Sequence, residues 1–238
     1  MDDRGRRVDF LAEGFRRAAA LIAGGDPDLY GSAALSLRVA AAATIIACGL
    51  GIPAGFALAG RRFWGRRAAL VLVNTALAVP TVVVGLLLYG VLSRRGPLGG
   101  LEWLYTWQAI VVGDVLLALP IAVALSAAAV EGVDPRVRRT ALTLGAGRWR
   151  TAWTVAREAR FALMAVVTAA FGQVVAEVGA AMIVGGNIRG ETRTLTTAVA
   201  LGTAQGDFGL ALALGVVLLA LALAVNAALQ VLQGRGRD

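Results

Sequence analysis

Few side chains in this chain are able to do chemistry. Neither histidine nor lysine occurs, all 23 basic residues are arginine, and Cys48 is the single cysteine. This removes an imidazole base or metal ligand, a Schiff-base lysine, an internal disulfide, a cysteine-cluster metal centre and the lysine of a phosphate-binding loop. No cofactor and no metal are expected, and any uphill work has to be energised by a partner. Two stretches hold what remains. In the first, Gln173 and Glu177 lie four apart, and Asn187, Arg189, Thr192, Arg193, Thr194, Thr196 and Thr197 follow. Glu177 reads as a gate hydrogen bond, as a brace for Arg189 or Arg193, or as a structural pair with Asn226 or a backbone donor. The segment after it is rich in hydrogen-bond donors with two positive charges, suited to an anionic ligand or to anchoring at headgroups. The second stretch starts at Asp134-Pro135, an N-cap and first-turn pair that predicts a helix through Val137–Leu144. Gly145 and Gly147 break it. An amphipathic piece follows, with Trp149 and Trp153 on one face and Arg148, Arg150 and Arg157 facing water or anionic headgroups. A helix–turn–helix of this kind suits insertion of one helix into a partner's groove.

The elements that position these residues are set by lipid. Apolar residues make up 58% of the 238, charged residues only 16%, and the mean hydropathy is +0.73, beyond the ordinary range of soluble domains. Five apolar runs approach or exceed the ~20 residues needed to cross hydrocarbon: Leu35–Leu58, Ala68–Leu92, Gln108–Val130, Phe161–Val184 and Phe208–Leu232. The expected fold is all-α, a polytopic membrane protein of five transmembrane helices plus an N-terminal amphipathic helix. The connections 60–67 and 131–160 carry four and seven arginines, those at 93–107 and 185–207 two each. The positive-inside rule puts the first pair and the tail, with Arg235 and Arg237, in the cytoplasm. The high pI then reflects topology rather than nucleic-acid binding. Met1 falls outside with Arg4, Arg6, Arg7, Arg16 and Arg17, against the same rule. A sixth span over Asp9–Gly24 would remove the conflict, but Glu13, Arg16 and Arg17 would sit at its centre at ~2.5–3.5 kcal/mol each. Leu11, Phe15, Ala18 and Ile22 instead form the stripe of an interfacial helix. Asp2 and Asp3, with no small-residue cleavage site, do not read as a signal peptide.

The domain reading is an N-terminal amphipathic segment (1–33), a transmembrane domain (34–233) carrying a cytoplasmic loop (131–160), and a tail (234–238). Pro53, Pro80 and Pro120 fall inside the first three runs and predict kinks. Asp114 is expected in a solvated or interfacial position, Arg38 to snorkel, and Cys48 to be a small packing residue.

Leu144-Gly145-Ala146, after Thr140-Ala141, resembles the EAA loop of binding-protein-dependent ABC transporter permeases. That pattern is Glu-Ala-Ala, three residues, Gly, nine residues, Ile-x-Leu-Pro. Aligned on Gly145, its first three positions fall on Arg139-Thr140-Ala141 and its last on Val155-Ala156-Arg157-Glu158. Ala141 and Gly145 match strictly; Arg replaces the Glu, and Arg-Glu the Leu-Pro. The segments Glu177–Ile188, Thr192–Thr197 and Gln205-Gly206-Asp207 are similar to the permease subunits of tungstate importers, kin of molybdate permeases, in which an Arg-Glu-Ala-Arg type sequence like Arg157–Arg160 also stands at the Leu-Pro site. The resemblance covers about residues 30–232.

It implies a type I ABC importer permease fold in the prokaryotic inner membrane and a homodimer, since five spans make half a pathway. Cytoplasmic ABC ATPase subunits would dock through Arg139, Thr140, Ala141, Leu144, Gly145, Ala146 and Arg148. An extracytoplasmic oxyanion-binding protein would deliver the substrate past Gln173, Glu177, Asn187, Arg189, Thr192, Arg193 and Thr194, whose donors suit an all-acceptor tetrahedral oxyanion. Tungstate is the expected cargo, molybdate or another anion the alternative. A secondary transporter or channel would share the kinked spans but not need the thirty-residue cytoplasmic loop. A membrane enzyme finds no constellation of catalytic residues here.

Overall fold

A computed structural model describes residues 12, 15–60 and 64–234. Among them the structure is helical, with one short 3-10 turn at Gly99–Leu101 and no strand. We number the helices α1 (described over 15–23), α2 (Pro27–Gly60), α3 (Arg66–Leu77), α4 (Thr81–Leu92), α5 (Trp107–Glu131), α6 (Pro135–Thr143), α7 (Arg148–Glu158), α8 (Arg160–Val175), α9 (Gly179–Gly185), α10 (Leu195–Ala204) and α11 (Phe208–Gly234). The chain divides into two compact units: one takes the chain up to Ala42, Pro80–Asp114 and Val175–Ala228; the other takes Ala43–Val79, Val115–Val174 and the chain from Leu229.

Three described helices are long and apolar enough to cross a membrane: Pro27–Ala59, Trp107–Glu131 and Phe208–Val231. Two further pairs, α3 with α4 and α7 with α8, pass the same test only when taken together, across bends of 100° and 74°. The first, third and fifth apolar runs thus become helices much as expected, α2 starting earlier because Asp26 and Pro27 form a strong start signal. Asp26 Oδ1 accepts the Leu29 N–H at 2.9 Å, and Asp28 lies in the first turn, where helix dipole and capping both favour a carboxylate. Pro53 and Pro120 sit inside α2 and α5.

The second and fourth runs are not single helices. At Pro80 the helix breaks rather than kinks: α3 ends at Leu77, and Pro80, with extended backbone, becomes the N-cap of α4. Proline disfavours helical backbone at the residue before it and has no N–H to continue the ladder. In the fourth run α8 ends at Val175 and α9 begins at Gly179. Glu177 therefore does not share a helical face with Gln173. The two fall in different units, and Glu177 Oε1 accepts the Ala180 N–H at 2.9 Å, serving the start of α9.

Small residues let the helices approach. In the second unit Gly51 and Gly55 of α2 form a G-x-x-x-G face against α5. A Cβ on Gly51 would lie 2.5 Å from Ala122 Cβ, and one on Gly55 2.6 Å from Ser126 Cβ and 2.7 Å from the Val123 carbonyl, the close contact by which helices associate in lipid. Cys48 is buried and free. In the first unit Gly85 of α4 meets Ala180 of α9 in the same way, and Leu29, Leu195, Ala198 and Leu214 form a core on which Leu21 of α1 also packs. Of the N-terminal stripe, Ala18 is buried while Phe15 and Ile22 are exposed, and Leu11 lies outside the described residues.

Candidate functional site

The 131–160 stretch folds as its residues predict. Asp134 caps α6 by accepting the Arg136 N–H at 2.8 Å, with Pro135 in the first turn. The helix closes on a Schellman motif: Ala146 N–H reaches the Ala141 carbonyl at 3.0 Å and Gly145 N–H the Leu142 carbonyl at 3.0 Å. Gly145 holds φ +80°, the left-handed position that glycine fills without a Cβ penalty. No atom lies within 4 Å of where its Cβ would stand, so backbone conformation, not crowding, selects glycine there. Ala141, Thr151 and Val155 are buried as α6 folds against α7. Arg139, Thr140 and Arg148 are exposed and Ala146 is half-buried. Leu144 at the tip is 81% exposed, and Trp149 on the outward stripe of α7 is 85% exposed.

Two residues not singled out in the sequence anchor this element. Arg66 donates Nε–H to the Leu58 carbonyl at 2.9 Å and pairs through Nη2 with Glu131, tying the end of α2 to the end of α5. Beside this clamp a cavity of about 570 Å³ opens, lined by Phe56, Glu131, Asp134, Arg138, Leu142 and Val155 among others.

The donor-rich stretch after Glu177 is not an open loop. Gly186 and Gly190 have positive φ, as does Asn187 at 52°, a conformation asparagine tolerates better than most residues. Thr192 Oγ1 donates to the Gly185 carbonyl at 2.6 Å and accepts the Ile188 N–H at 2.9 Å. Thr194 and Thr197 form a reciprocal capping box at the start of α10, and Thr196 Oγ1 donates to the Glu177 carbonyl at 2.8 Å. All four threonines are buried; their hydroxyls serve the fold, contrary to the expectation of free donors. Ser36 Oγ, a residue not flagged in the sequence, accepts the Leu195 N–H at 2.8 Å and fastens α2 to α10.

The arginines are disposed differently. Arg193 donates Nε–H to Asn187 Oδ1 at 3.2 Å and Nη2–H to the Asn187 carbonyl at 3.3 Å, while Asn187 Nδ2 donates to the Thr197 carbonyl at 3.2 Å. Arg189 donates Nε–H to Asp28 Oδ1 at 2.9 Å and Nη2–H to Oδ2, and this pairing with Asp28 pushes the guanidinium pKa above its ordinary value. Among the described residues neither arginine bonds Glu177, so it is not their brace; of the readings offered for it, the structure shows the backbone donor, the Ala180 N–H, and not Asn226. Asp114 is 2% exposed and its Oδ1 has no partner among the described residues, which overturns the solvated or interfacial reading. Gly113, next to it in α5, faces Ala180 of α9. Arg38 lies over the Trp107 ring at 3.9 Å from its centroid, a cation–π contact rather than simple snorkelling. Asp28, Ser32, Arg38, Trp107, Arg189 and Arg193 together line a cavity of about 280 Å³.

Comparison with known proteins joins these observations. Residues 51–238 match the family described as binding-protein-dependent transport system inner membrane component. The tungstate uptake system permease protein TupB of Peptoclostridium acidaminophilum is 38% identical over 226 residues, covering 95% of this chain and 99% of that protein. A probable anion ABC transporter permease protein of Haloferax volcanii is 41% identical over 82% of this chain and 86% of its own. The molybdenum transport system permease protein ModB of Escherichia coli K12 is 32% identical over 73% and 79%. The chain belongs to the family of inner membrane components of binding-protein-dependent transport systems.

Proposed function

We propose that this chain moves a tetrahedral oxyanion, tungstate, across the inner membrane as the permease half of an ATP-driven importer. The observation that carries the reading is the similarity to a tungstate permease along essentially the full length of both proteins, 95% of one and 99% of the other. Five spans are proposed, with 60–67, 131–160 and the tail on the cytoplasmic side, residues 1–33 as an N-terminal segment and 34–233 as the permease domain. Two copies form the pathway. In support, α3 buries none of its side chains within the chain, leaving Val71, Leu72 and Leu77 exposed for lipid or the second copy.

Energy enters through α6. Its tip, Leu144-Gly145, projects from a base held by the Arg66–Glu131 clamp, so force on the tip from a partner ATPase is passed to the ends of α2 and α5 rather than lost in a flexible loop. Arg139, Thr140 and Arg148 are the exposed groups around that tip. On the opposite side an extracytoplasmic binding protein releases the anion near Arg189 and Arg193. The buried threonines support this by holding the 185–197 turn in shape, not by touching the anion. The chain's own residues bind, position and gate; the partner ATPase supplies hydrolysis.

The test is tungstate uptake into proteoliposomes holding the permease, its ATPase and its binding protein. Uptake that needs all three with ATP and is competed by excess molybdate before sulfate is the expected result. Molybdate uptake with tungstate ignored would reassign the cargo, and uptake without the ATPase would point to a secondary transporter.

A further inference from the structure

The Arg189–Asp28 pair makes sense as more than a tie. We infer that the cavity bounded by Asp28, Ser32, Arg38, Trp107, Arg189 and Arg193 is a receiving site for a tetrahedral oxyanion, and that the Asp28 carboxylate is its resting occupant. This rests on the transport reading above and adds a regulated site to it.

The donor set fits the ligand class. Three guanidinium groups converge on one cavity, and guanidinium presents paired N–H groups that match two oxygens of an oxyanion at once. Arg189 already uses that fork: Nε–H and Nη2–H go to the two Asp28 oxygens, the pair of acceptors that one edge of a tetrahedral anion would offer. Arg193 is fixed by two bonds to Asn187 through Nε and Nη2, and its Nη1 has no partner among the described residues. Arg38 is held by its face on Trp107, and its N–H groups make no hydrogen bond among the described residues. Held but unspent donors are preorganised for a ligand. The space of about 280 Å³ is several times the ~30 Å³ share of one water, enough for the anion with residual hydration.

The charge balance says why a latch is needed. Asp28 and Glu191 offset two of the three arginines lining the cavity. With Asp28 in place the lining carries one positive charge in excess and the Arg189 fork is occupied; with Asp28 displaced the excess rises to two and the fork is free for an incoming dianion. Displacement is easy because the pair is open to solvent, with 70% of the Arg189 side chain and 44% of the Asp28 side chain exposed, and exposed ion pairs hold weakly. Asp28 retains a favourable position at the start of α2 when it lets go.

Permease in phosphatidylcholine nanodiscs, titrated with tungstate by calorimetry, tests this. Asp28→Asn should bind tungstate about two- to fivefold more tightly than the wild type, the factor by which an exposed competing pair lowers apparent affinity, and Arg189→Ala or Arg38→Ala in that background should abolish the gain. Should Asp28→Asn not fold, Asp28→Ser carries the same expected sign. A purely structural tie predicts the opposite pattern, lower melting temperature in Asp28→Asn with tungstate binding unchanged or weaker, and overturns the latch. Nanodiscs with added phosphatidylglycerol separate the two sources of oxyanion: tungstate binding that vanishes as this lipid rises would make a headgroup phosphate the occupant and overturn the free-anion assignment. Wild-type uptake measured alongside keeps the failures apart. Intact uptake with no Asp28→Asn gain sinks only the latch, whereas absence of tungstate uptake removes the transport reading and the site with it.

Discussion

At the residue scale Asn187 does the most with the least. It turns the chain at φ 52° while its amide joins Arg193 to the carbonyl of Thr197. Asn187→Ala should lower stability by about 1–3 kcal/mol, combining the left-handed backbone penalty with a buried hydrogen bond left unmade, read as a lowered unfolding temperature in detergent. Asn187→Gly restores the backbone and should recover part of the loss. Because Arg193 answers to Asn187 and not to Glu177, Arg193→Ala and Glu177→Gln should have additive effects; a rescue in the double mutant would show that the two interact after all. The ambiguity of these residues in sequence has a physical origin. Threonine is chosen both for capping and for binding anions, since one hydroxyl serves either purpose, and 192–197 gave no local sign of which. Asp28 with Arg189 and Ser36 with Leu195 are joined only by the fold, 161 and 159 residues apart, so no spacing rule finds them. Asp134-Pro135 and Gly145, in contrast, act within a few residues, and their roles were legible.

At the element scale the same distinction holds. Apolar runs located α2, α5 and α11 because length alone marks a crossing helix. Pro80 marked a kink but not a full break, and the break at Glu177 carried no mark, because a run of some two dozen apolar residues is equally consistent with one helix or two short ones and hydrophobic periodicity does not choose between them. Glycines show which helices are committed to contact. Gly55→Val should prevent accumulation of folded protein, because its Cβ would overlap Ser126 Cβ and the Val123 carbonyl on a neighbouring backbone, whereas Gly90→Ala, with open space around its Cβ position, should be close to neutral. Membrane-fraction yield and monodispersity by size exclusion read both. Gly145 stands apart from these two. Its Cβ would meet nothing, so Gly145→Glu should insert and fold with a backbone penalty of only about 1 kcal/mol, yet place charge and strain at the tip beside Leu144. ATP hydrolysis by the assembled complex should continue while uptake is lost; uptake equal to the wild type would remove α6 as the coupling element.

At the scale of the whole molecule the open question in the sequence was whether the N-terminal helix crosses the membrane. Charge bias favoured a sixth span and segment length opposed it. The structure adds a geometric constraint. Arg17 donates from Nη1 and Nη2 to the two oxygens of Asp207 at 3.0 and 3.3 Å, and Asp207 stands directly before α11. At ~1.5 Å per residue the 27 residues of α11 span about 40 Å, enough to cross the bilayer once. In the proposed topology, with the arginine-bearing tail in the cytoplasm, Asp207 is outside, and its pair with Arg17 keeps that end of α1 beside it. A helix tied near its described start to that end of α11 lies, in this topology, along the surface rather than down through hydrocarbon. Asp207 stays ionised near neutral pH: the Leu210 N–H, and after it Arg17, hold its carboxyl below the ordinary pKa. Its contribution is present above the unfolded carboxylate value near ~3.9 and fades only as pH falls through the lower folded one. A cysteine placed at the exposed Ala20, in a Cys48→Ala background, should therefore react with a membrane-impermeant maleimide added to intact cells at neutral pH. Labelling only after lysis would place this helix inside, and six spans would then replace five. Arg17→Ala alongside should leave the side of labelling unchanged, because the proposed topology rests on the arginines of 60–67 and 131–160 and not on this pair, while raising the labelling rate as α1 loses its hold on Asp207.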